Sequence, residues 1–153
     1  MNVQIRKATI HDIEEITKLR LELLESVGDV HENNRKEVQQ ANVKYFEHKL
    51  KSEQFIAWVA VVENEVIGIS GLVFFERPPH GENISGLEAY IMNMYTKPAF
   101  RGNGIAQALL NECISYCQSI GVGRIWLHTS KEGYPLYKKM GFVEKDSEME
   151  LIL

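Results

Sequence analysis

The segment Arg101-Gly102-Asn103-Gly104-Ile105-Ala106 constrains this chain more than any other. It follows a β-rich run, Glu88 to Thr96, that Lys97-Pro98 ends. It opens an amphipathic stretch, Gly104 to Ile120, in which Ile105, Ala108, Leu109, Cys113, Tyr116 and Cys117 recur at helical spacing. The backbone must therefore pass from strand to helix over two glycines. Glycine allows a sharp turn and a close approach to a ligand, with no Cβ in the way. The first N–H groups of a helix lack internal partners, and the helix dipole places about half a positive charge at that end. With the charge of Arg101 beside it, the turn reads as an anion site suited to a pyrophosphate. A tight loop before a small-residue helix start is the plainer alternative. A Walker loop is excluded, because no Gly-Lys-Ser/Thr follows. A dinucleotide fingerprint fits poorly, because the turn comes late in the chain and not after its first strand.

The rest of the pattern supplies the surroundings. Val3 to Lys7 alternates as a short strand. Ile13, Ile16, Leu19, Leu23 and Leu24 keep helical spacing between a start at Thr9 or His11-Asp12 and a stop at Gly28. Glu32 to Lys51 reads as a second helix. Phe55 to Val62 and Val66 to Phe75 form a hairpin across Glu63-Asn64-Glu65. Arg77 to Asn83 is a Pro/Gly loop. Gly121 stops the long helix, Arg124 to Thr129 is a strand, and Tyr134 to Met140 is a short helix with Gly141 as its C-cap. Phe142-Val143 and Met149 to Leu153 are read as two closing strands. This order gives an α/β mixed sheet with helices on both faces, in one domain spanning 1–153.

Composition narrows the function classes. Apolar residues make up 44% and charged residues 25%, as in soluble globular chains. The net charge of −4 comes with no basic block, which argues against nucleic-acid binding. No apolar run is long enough for a membrane span, and Met1 to Ile10 has no apolar signal core, so a cytoplasmic protein is expected. Cys113 and Cys117 lie four apart on one helix face, without the His/Cys cluster of a metal site, and read as buried thiols. No metal is expected.

Asn93-Met94-Tyr95-Thr96-Lys97-Pro98-Ala99-Phe100-Arg101-Gly102-Asn103-Gly104-Ile105-Ala106 resembles the acetyl-CoA motif of the GCN5-related N-acetyltransferase (GNAT) superfamily, Arg/Gln-x-x-Gly-x-Gly/Ala after a strand ending in x-Pro-x-aromatic. Tyr137-Lys138-Lys139-Met140-Gly141-Phe142 resembles its Tyr-x-x-x-Gly-Phe signature, in the family's order. The resemblance covers roughly residues 54 to 145. It implies a central, mostly antiparallel sheet with splayed fourth and fifth strands, and acetyl-CoA as cosubstrate. It places the pyrophosphate on Arg101, Gly102, Asn103, Gly104, Ile105 and Ala106. It places pantetheine along Met94, Tyr95 and Thr96, with a backbone N–H near Met94 polarising the acetyl carbonyl. Where many relatives carry Asn, seven residues before the tyrosine, this chain has Ser130, a weaker pantetheine contact.

The implied reaction is acetyl transfer to a primary amine by direct attack. A lysine-like amine is neutral about once in 10³ at pH 7, so a base, or a desolvating site, is expected. Glu88-Ala89-Tyr90-Ile91-Met92-Asn93 is similar to the strand of ribosomal-protein alanine N-acetyltransferases, where a Glu five residues before the matching Asn is the base. Glu88, acting through water, is the corresponding candidate, with a solvated strand-start carboxylate as the alternative. Tyr137 is the candidate acid that reprotonates the thiolate, with Tyr134 three residues earlier as a competitor. A covalent acetyl-cysteine on Cys113 or Cys117 lacks an adjacent His.

The acceptor is a small-molecule or peptide amine. The first two helices and the loops hold Glu25, Asp29, His31, Glu32 and the 75–82 segment, whose carboxylates could recognise a cationic amine, with ordinary solvated charge as the plainer alternative. A short turn, Glu144 to Ser147, leaves one wall of the cleft low. Dimers are common in the superfamily, so a homodimer is compatible. A non-catalytic acyl-CoA-binding module would keep the pyrophosphate turn but would not need Tyr137. Transfer of an acyl group longer than acetyl also stays open.

Overall fold

The computed structural model describes residues 1–153. Five strands form one sheet in the order β1-β2-β3-β4-β5: β1 (Gln4–Lys7), β2 (Phe55–Val62), β3 (Glu65–Glu76), β4 (Leu87–Thr96) and β5 (Arg124–Trp126). The first three pairings are antiparallel and β4–β5 is parallel. Helices α1 (Ile13–Ser26) and α2 (Arg35–Lys49) follow β1; α3 (Ile105–Ser119) joins β4 to β5, and α4 (Tyr134–Lys139) follows β5.

The sheet separates two apolar layers. On one face, Ile16 and Leu19 of α1 and Phe46 of α2 pack on Phe55, Ala57, Val59, Ile69 and Tyr95. On the other, Ile105, Leu109, Leu110, Cys113 and Cys117 of α3 pack with Tyr137 on Ile56, Trp58, Ala60, Ile67, Leu72, Ala89 and Ile91. Alternation along β2 and β4 assigns each residue to one layer. Helices on both faces of a mostly antiparallel sheet match the sequence expectation.

Local chemistry fixes the junctions. Arg6 and Asp12 form a two-point ion pair, with both N···O distances 2.8 Å. Thr9 and Asp12 complete a capping box that turns β1 into α1. Glu63 and Asn64 both adopt positive φ, +48° and +68°, making a two-residue turn that matches the strand twist, so β3 begins at Glu65. The β3–β4 register slips opposite Ile69–Gly71, and Asn93 takes φ +58° there. Such a bulge bends a strand and re-aims its side chains.

Three expectations need correction. Glu32 to Asn34 precede α2, which starts at Arg35. β5 stops at Trp126 and does not reach Thr129. Residues 142–143 and 149–153 form no strands, and Met149, Leu151, Ile152 and Leu153 are exposed. A strand needs a ladder as well as β-forming residues. The three residues of β5, diverging from β4 beyond Trp126, present too little edge to build one.

Candidate active site

The site begins where β4 and β5 part. Their pairing covers Glu88↔Arg124, Ala89↔Ile125 and Tyr90↔Trp126. From Ile91 to Thr96, the β5-facing edge of β4 has no partner strand, a length of about 20 Å at strand rise. Met94, Tyr95 and Thr96 lie on this open edge. The Met94 side chain borders the α3 layer, and Tyr95 points the other way, its hydroxyl donating to Glu22 Oε2 at 3.2 Å.

The edge runs into the glycine turn. Gly102 and Gly104 have φ of +80° and +76°, and space for a Cβ at either is empty. Gly104 is the N-cap of α3 with no side chain capping it, and the N–H groups from Gly102 to Ala106 have no backbone acceptor. A run of free donors at a fifteen-residue helix N-terminus fits a pyrophosphate in both geometry and charge. The turn is held by its own side chains. Arg101 Nε donates to the Thr96 carbonyl at 2.9 Å, with its guanidinium 5.4 Å from the Tyr95 ring centre. Asn103 Nδ2 donates to the Phe100 and Arg101 carbonyls. Arg101 thus ties the turn to the end of β4 as well as charging it.

Tyr137 approaches from α4 and is buried, with its ring edge-on to Phe142 at 5.8 Å. A Cβ on Gly133 would lie 2.8 Å from its ring, so this glycine makes room for it. Burial, then the nearby Cys113 and Tyr90, push the Tyr137 phenol up to about 12. Ser130 Oγ accepts the Gly133 N–H at 3.1 Å and so shapes the entry to α4. Burial raises the Cys113 thiol to about 12 and the Cys117 thiol to about 11, so neither supplies a thiolate near neutral pH.

Glu88, Tyr90 and Met92 alternate onto the α1/α2 face of β4. Glu88 is 2% exposed, so the solvated alternative does not hold. Its Oε1 meets Arg124 Nη1 at 3.0 Å and Arg77 Nε at 3.2 Å, which ties the starts of β4 and β5 to the end of β3. It lies six residues before Met94, about 20 Å along the strand.

Sequence reasoning missed three residues nearer the split. His128 Nδ1 is 2.7 Å from Tyr90 Oη, and His128 Nε2 is 2.7 Å from Glu148 Oε2. His128 lies two residues past the end of β5, and its contact with Tyr90 holds it beside the last paired position of β4. Trp126 backs this group, its ring 4.6 Å from Tyr90 and 5.8 Å from His128. An isolated His ahead of a Ser-Lys loop gives no signal in the sequence; only its contacts with Tyr90 and Glu148 in the fold reveal it. The carboxylates at the start of the chain fit the reading of ordinary solvated charge: Glu25 pairs with Arg35 at 2.6 Å, and Asp29 is exposed. No three His, Cys, Asp or Glu side chains are grouped to hold a metal, and no helix is long and apolar enough to cross a membrane.

Comparison with known proteins identifies the family. The acetyltransferase (GNAT) family model matches residues 15–142. A predicted acetyltransferase of Clostridium acetobutylicum, crystallised with acetyl-CoA, is 34% identical with a TM-score of 0.88, covering 99% of this chain and 96% of that one. A GCN5-related N-acetyltransferase of Ralstonia eutropha JMP134 superposes at a TM-score of 0.89 with 25% identity, over 99% of each chain. Among curated proteins, the uncharacterised N-acetyltransferase YjgM of Escherichia coli K12 is 33% identical over 92 residues, 58% of this chain and 52% of that protein. Glucosamine 6-phosphate N-acetyltransferase of Trypanosoma brucei brucei is 26% identical over 88 residues, 58% of each. The matches thus span little more than half of these curated relatives. With the family matched over residues 15–142 and the open β4 edge leading into a free N–H turn, the chain belongs to the GNAT acetyltransferase family.

Proposed function

We propose that this protein transfers the acetyl group of acetyl-CoA to a primary amine by direct attack in a ternary complex. The observation that carries the reading is the run of free N–H groups at Gly102–Ala106 at the end of the unpaired edge of β4, with Tyr137 buried in the same apolar layer that Met94 packs against. Acetyl-CoA, when bound, supplies a thioester carbonyl open to attack by an amine.

The chain's residues then divide the work. The turn from Arg101 to Ala106 holds the pyrophosphate, and Met94, Tyr95 and Thr96 pair with the pantetheine arm; Ser130 borders it. A backbone N–H at Met94 offers the acetyl oxygen a fixed donor, an effect worth about 10²–10³ in rate. Tyr137 Oη gives its proton to the departing sulfur. A phenol raised by burial to about 12 carries its proton at neutral pH but is a weaker acid than a free one, so transfer relies on Tyr137 being held against the sulfur as charge develops there.

The attacking nitrogen must lose a proton. Glu88 through water is one acceptor, but two guanidinium groups occupy its Oε1 and it lies far from Met94. The Tyr90–His128–Glu148 chain is better placed. As the C–N bond forms, the amine proton passes to Tyr90 Oη, the Tyr90 proton passes to His128 Nδ1, and Glu148 faces the resulting imidazolium at Nε2.

Calorimetric titration with acetyl-CoA tests the cofactor half. Wild type should bind and Gly104→Glu should not; absence of binding by wild type to acetyl-CoA and to free CoA overturns the reading. CoA release with an amine panel then tests transfer. Binding without any turnover would mark a non-catalytic acyl-CoA-binding module instead.

A further inference from the structure

Arg20 is a cation without an anion. It extends from α1 over β4, where Nε donates to Asn42 Oδ1 at 2.7 Å and Nη1 donates to Asn93 Oδ1 at 2.5 Å. Both acceptors are neutral amides. None of the chain's ion pairs includes Arg20, and its Nη2 has no acceptor within the protein. Asp29 is close enough to be felt by Arg20, but it is exposed and makes no ion pair with it. Burial is the main influence on this guanidinium, holding it below the usual arginine range, yet an arginine stays charged. Arg20 is half-buried, and a guanidinium partly withdrawn from water is best matched by a carboxylate or phosphate.

Asn93 is a second, independent sign. Its side chain is 3% exposed, and Nδ2 is buried with no hydrogen-bond partner. Its φ of +58° sits at the β4 bulge, immediately before Met94. Strained residues and orphan donors of this kind cluster at ligand sites. Arg20 also lies within electrostatic range of Tyr90, whose hydroxyl meets His128. The cation, the orphan amide and the proton path therefore share the α1/α2 face of the split.

We infer that Arg20, with Asn93 beside it, binds a carboxylate or phosphate carried by the acceptor amine itself. The inference rests on the acetyltransferase reading and adds the chemical class of its substrate: an amino acid, a peptide or amine with an acidic group near the nucleophile, or an amino phosphate. A planar guanidinium with a free edge suits either anion, and a charge-assisted pair of this kind discriminates by about tenfold or more.

The test starts with calorimetry, so that failure of acetyl-CoA to bind is recognised as failure of the acetyltransferase reading and not of this inference. Wild type is then assayed for CoA release with the twenty amino acids against their carboxamides, and with phosphoethanolamine against ethanolamine. The expected result is turnover of at least one anionic amine, with kcat/KM about tenfold or more above its neutral match. The preference should fall to about one in Arg20→Gln and be partly kept in Arg20→Lys, with acetyl-CoA affinity unchanged in both. A carboxylate ligand predicts the difference in the amino-acid pairs, and a phosphate ligand predicts it in the ethanolamine pair. Three results overturn the inference: equal or better use of the neutral amines, turnover of no anionic amine by protein that binds acetyl-CoA, or an Arg20→Gln loss equal for both members of a pair. The last would make Arg20 a structural brace for the bulge. The wild-type comparison decides the matter even if both variants fail to fold.

Discussion

The Tyr90 hydroxyl lies 2.7 Å from His128 Nδ1, joining β4 to the segment that leaves β5, and Glu148 holds the opposite ring nitrogen at the same distance. With Nε2–H donated to the carboxylate, Nδ1 is the lone pair that accepts from Tyr90. That order is what a base needs: a proton acceptor facing the nucleophile and an anion behind it to stabilise the charged ring. If this chain takes the amine proton, His128→Gln lowers kcat by about 10²-fold or more, while acetyl-CoA affinity is unchanged. Glu148→Gln should cost less, since it removes only the stabilising charge. Glu88→Gln should act chiefly on stability, because it unbalances Arg77 and Arg124. A pH–rate profile that keeps its acid limb in His128→Gln and loses it in Glu88→Gln would return the role to Glu88.

Tyr137→Phe removes the proposed acid with little change in packing. Its kcat should drop by about 10²-fold, with the Kd for acetyl-CoA within a factor of about two of wild type. The sign of the pH effect follows from burial. A phenol pushed up to about 12 stays protonated through pH 10, so Tyr137 produces no alkaline fall in rate below that point. An alkaline limb near pH 8 that disappears only in Tyr137→Phe would overturn the raised phenol value, and a kcat unchanged in Tyr137→Phe would overturn the acid role. Tyr134→Phe is the control, and it should leave kcat near wild type.

Gly104 separates backbone strain from ligand exclusion. An added Cβ there meets nothing, yet φ is +76°. Gly104→Ala should therefore cost about 1–2 kcal/mol of stability, from the left-handed conformation alone. Gly104→Glu adds bulk and negative charge over the free N–H groups and should also abolish acetyl-CoA binding. Urea unfolding and calorimetry on the same pair tell the two effects apart. A Gly104→Glu variant that folds and binds acetyl-CoA normally would remove the pyrophosphate from this turn.

The parts of the site that the sequence revealed are local ones. Gly102 and Gly104 announce positive φ through their own lack of a side chain, and the turn between Thr96 and Ile105 needs no distant partner. Tyr137 was legible because Gly141 and Phe142 stand beside it. Arg20–Asn93 and Tyr90–His128 were not, because their partners are 73 and 38 residues apart, and only the packing of α1 over β4 and the course of the chain after β5 bring them together. The surroundings of Glu88 were hidden for the same reason. Its spacing from Asn93 is visible in the chain, but Arg77 and Arg124, which engage it, arrive from the end of β3 and from β5. The closing strands failed where β-forming side chains lacked an edge to join.

The Arg6–Asp12 pair gives a stability prediction with a defined pH window. Asp12 is 7% exposed and takes four contacts: two from Arg6, the Thr9 N–H at 2.7 Å and the Thr9 hydroxyl at 3.4 Å. The hydrogen bond from Arg6, partly opposed by burial and helped by Thr9, holds the Asp12 carboxyl below its usual range. A carboxyl lowered in the folded state binds protons more readily when unfolded. Its contribution is therefore complete above the unfolded value of about 3.9, and it is lost as pH falls below that toward the folded value. Arg6 is itself partly exposed, so solvent screens the pair. Asp12→Asn should then lose about 1–2 kcal/mol at pH 7, mostly the capping box and the charged hydrogen bonds. Urea unfolding of wild type and variant at pH 7 and across pH 5 to 2.5 checks this. The two stabilities should converge as pH drops, because wild type protonates the group that the variant has already neutralised. A gap that stays constant down to pH 2.5 would mean that Asp12 acts through shape and not through charge.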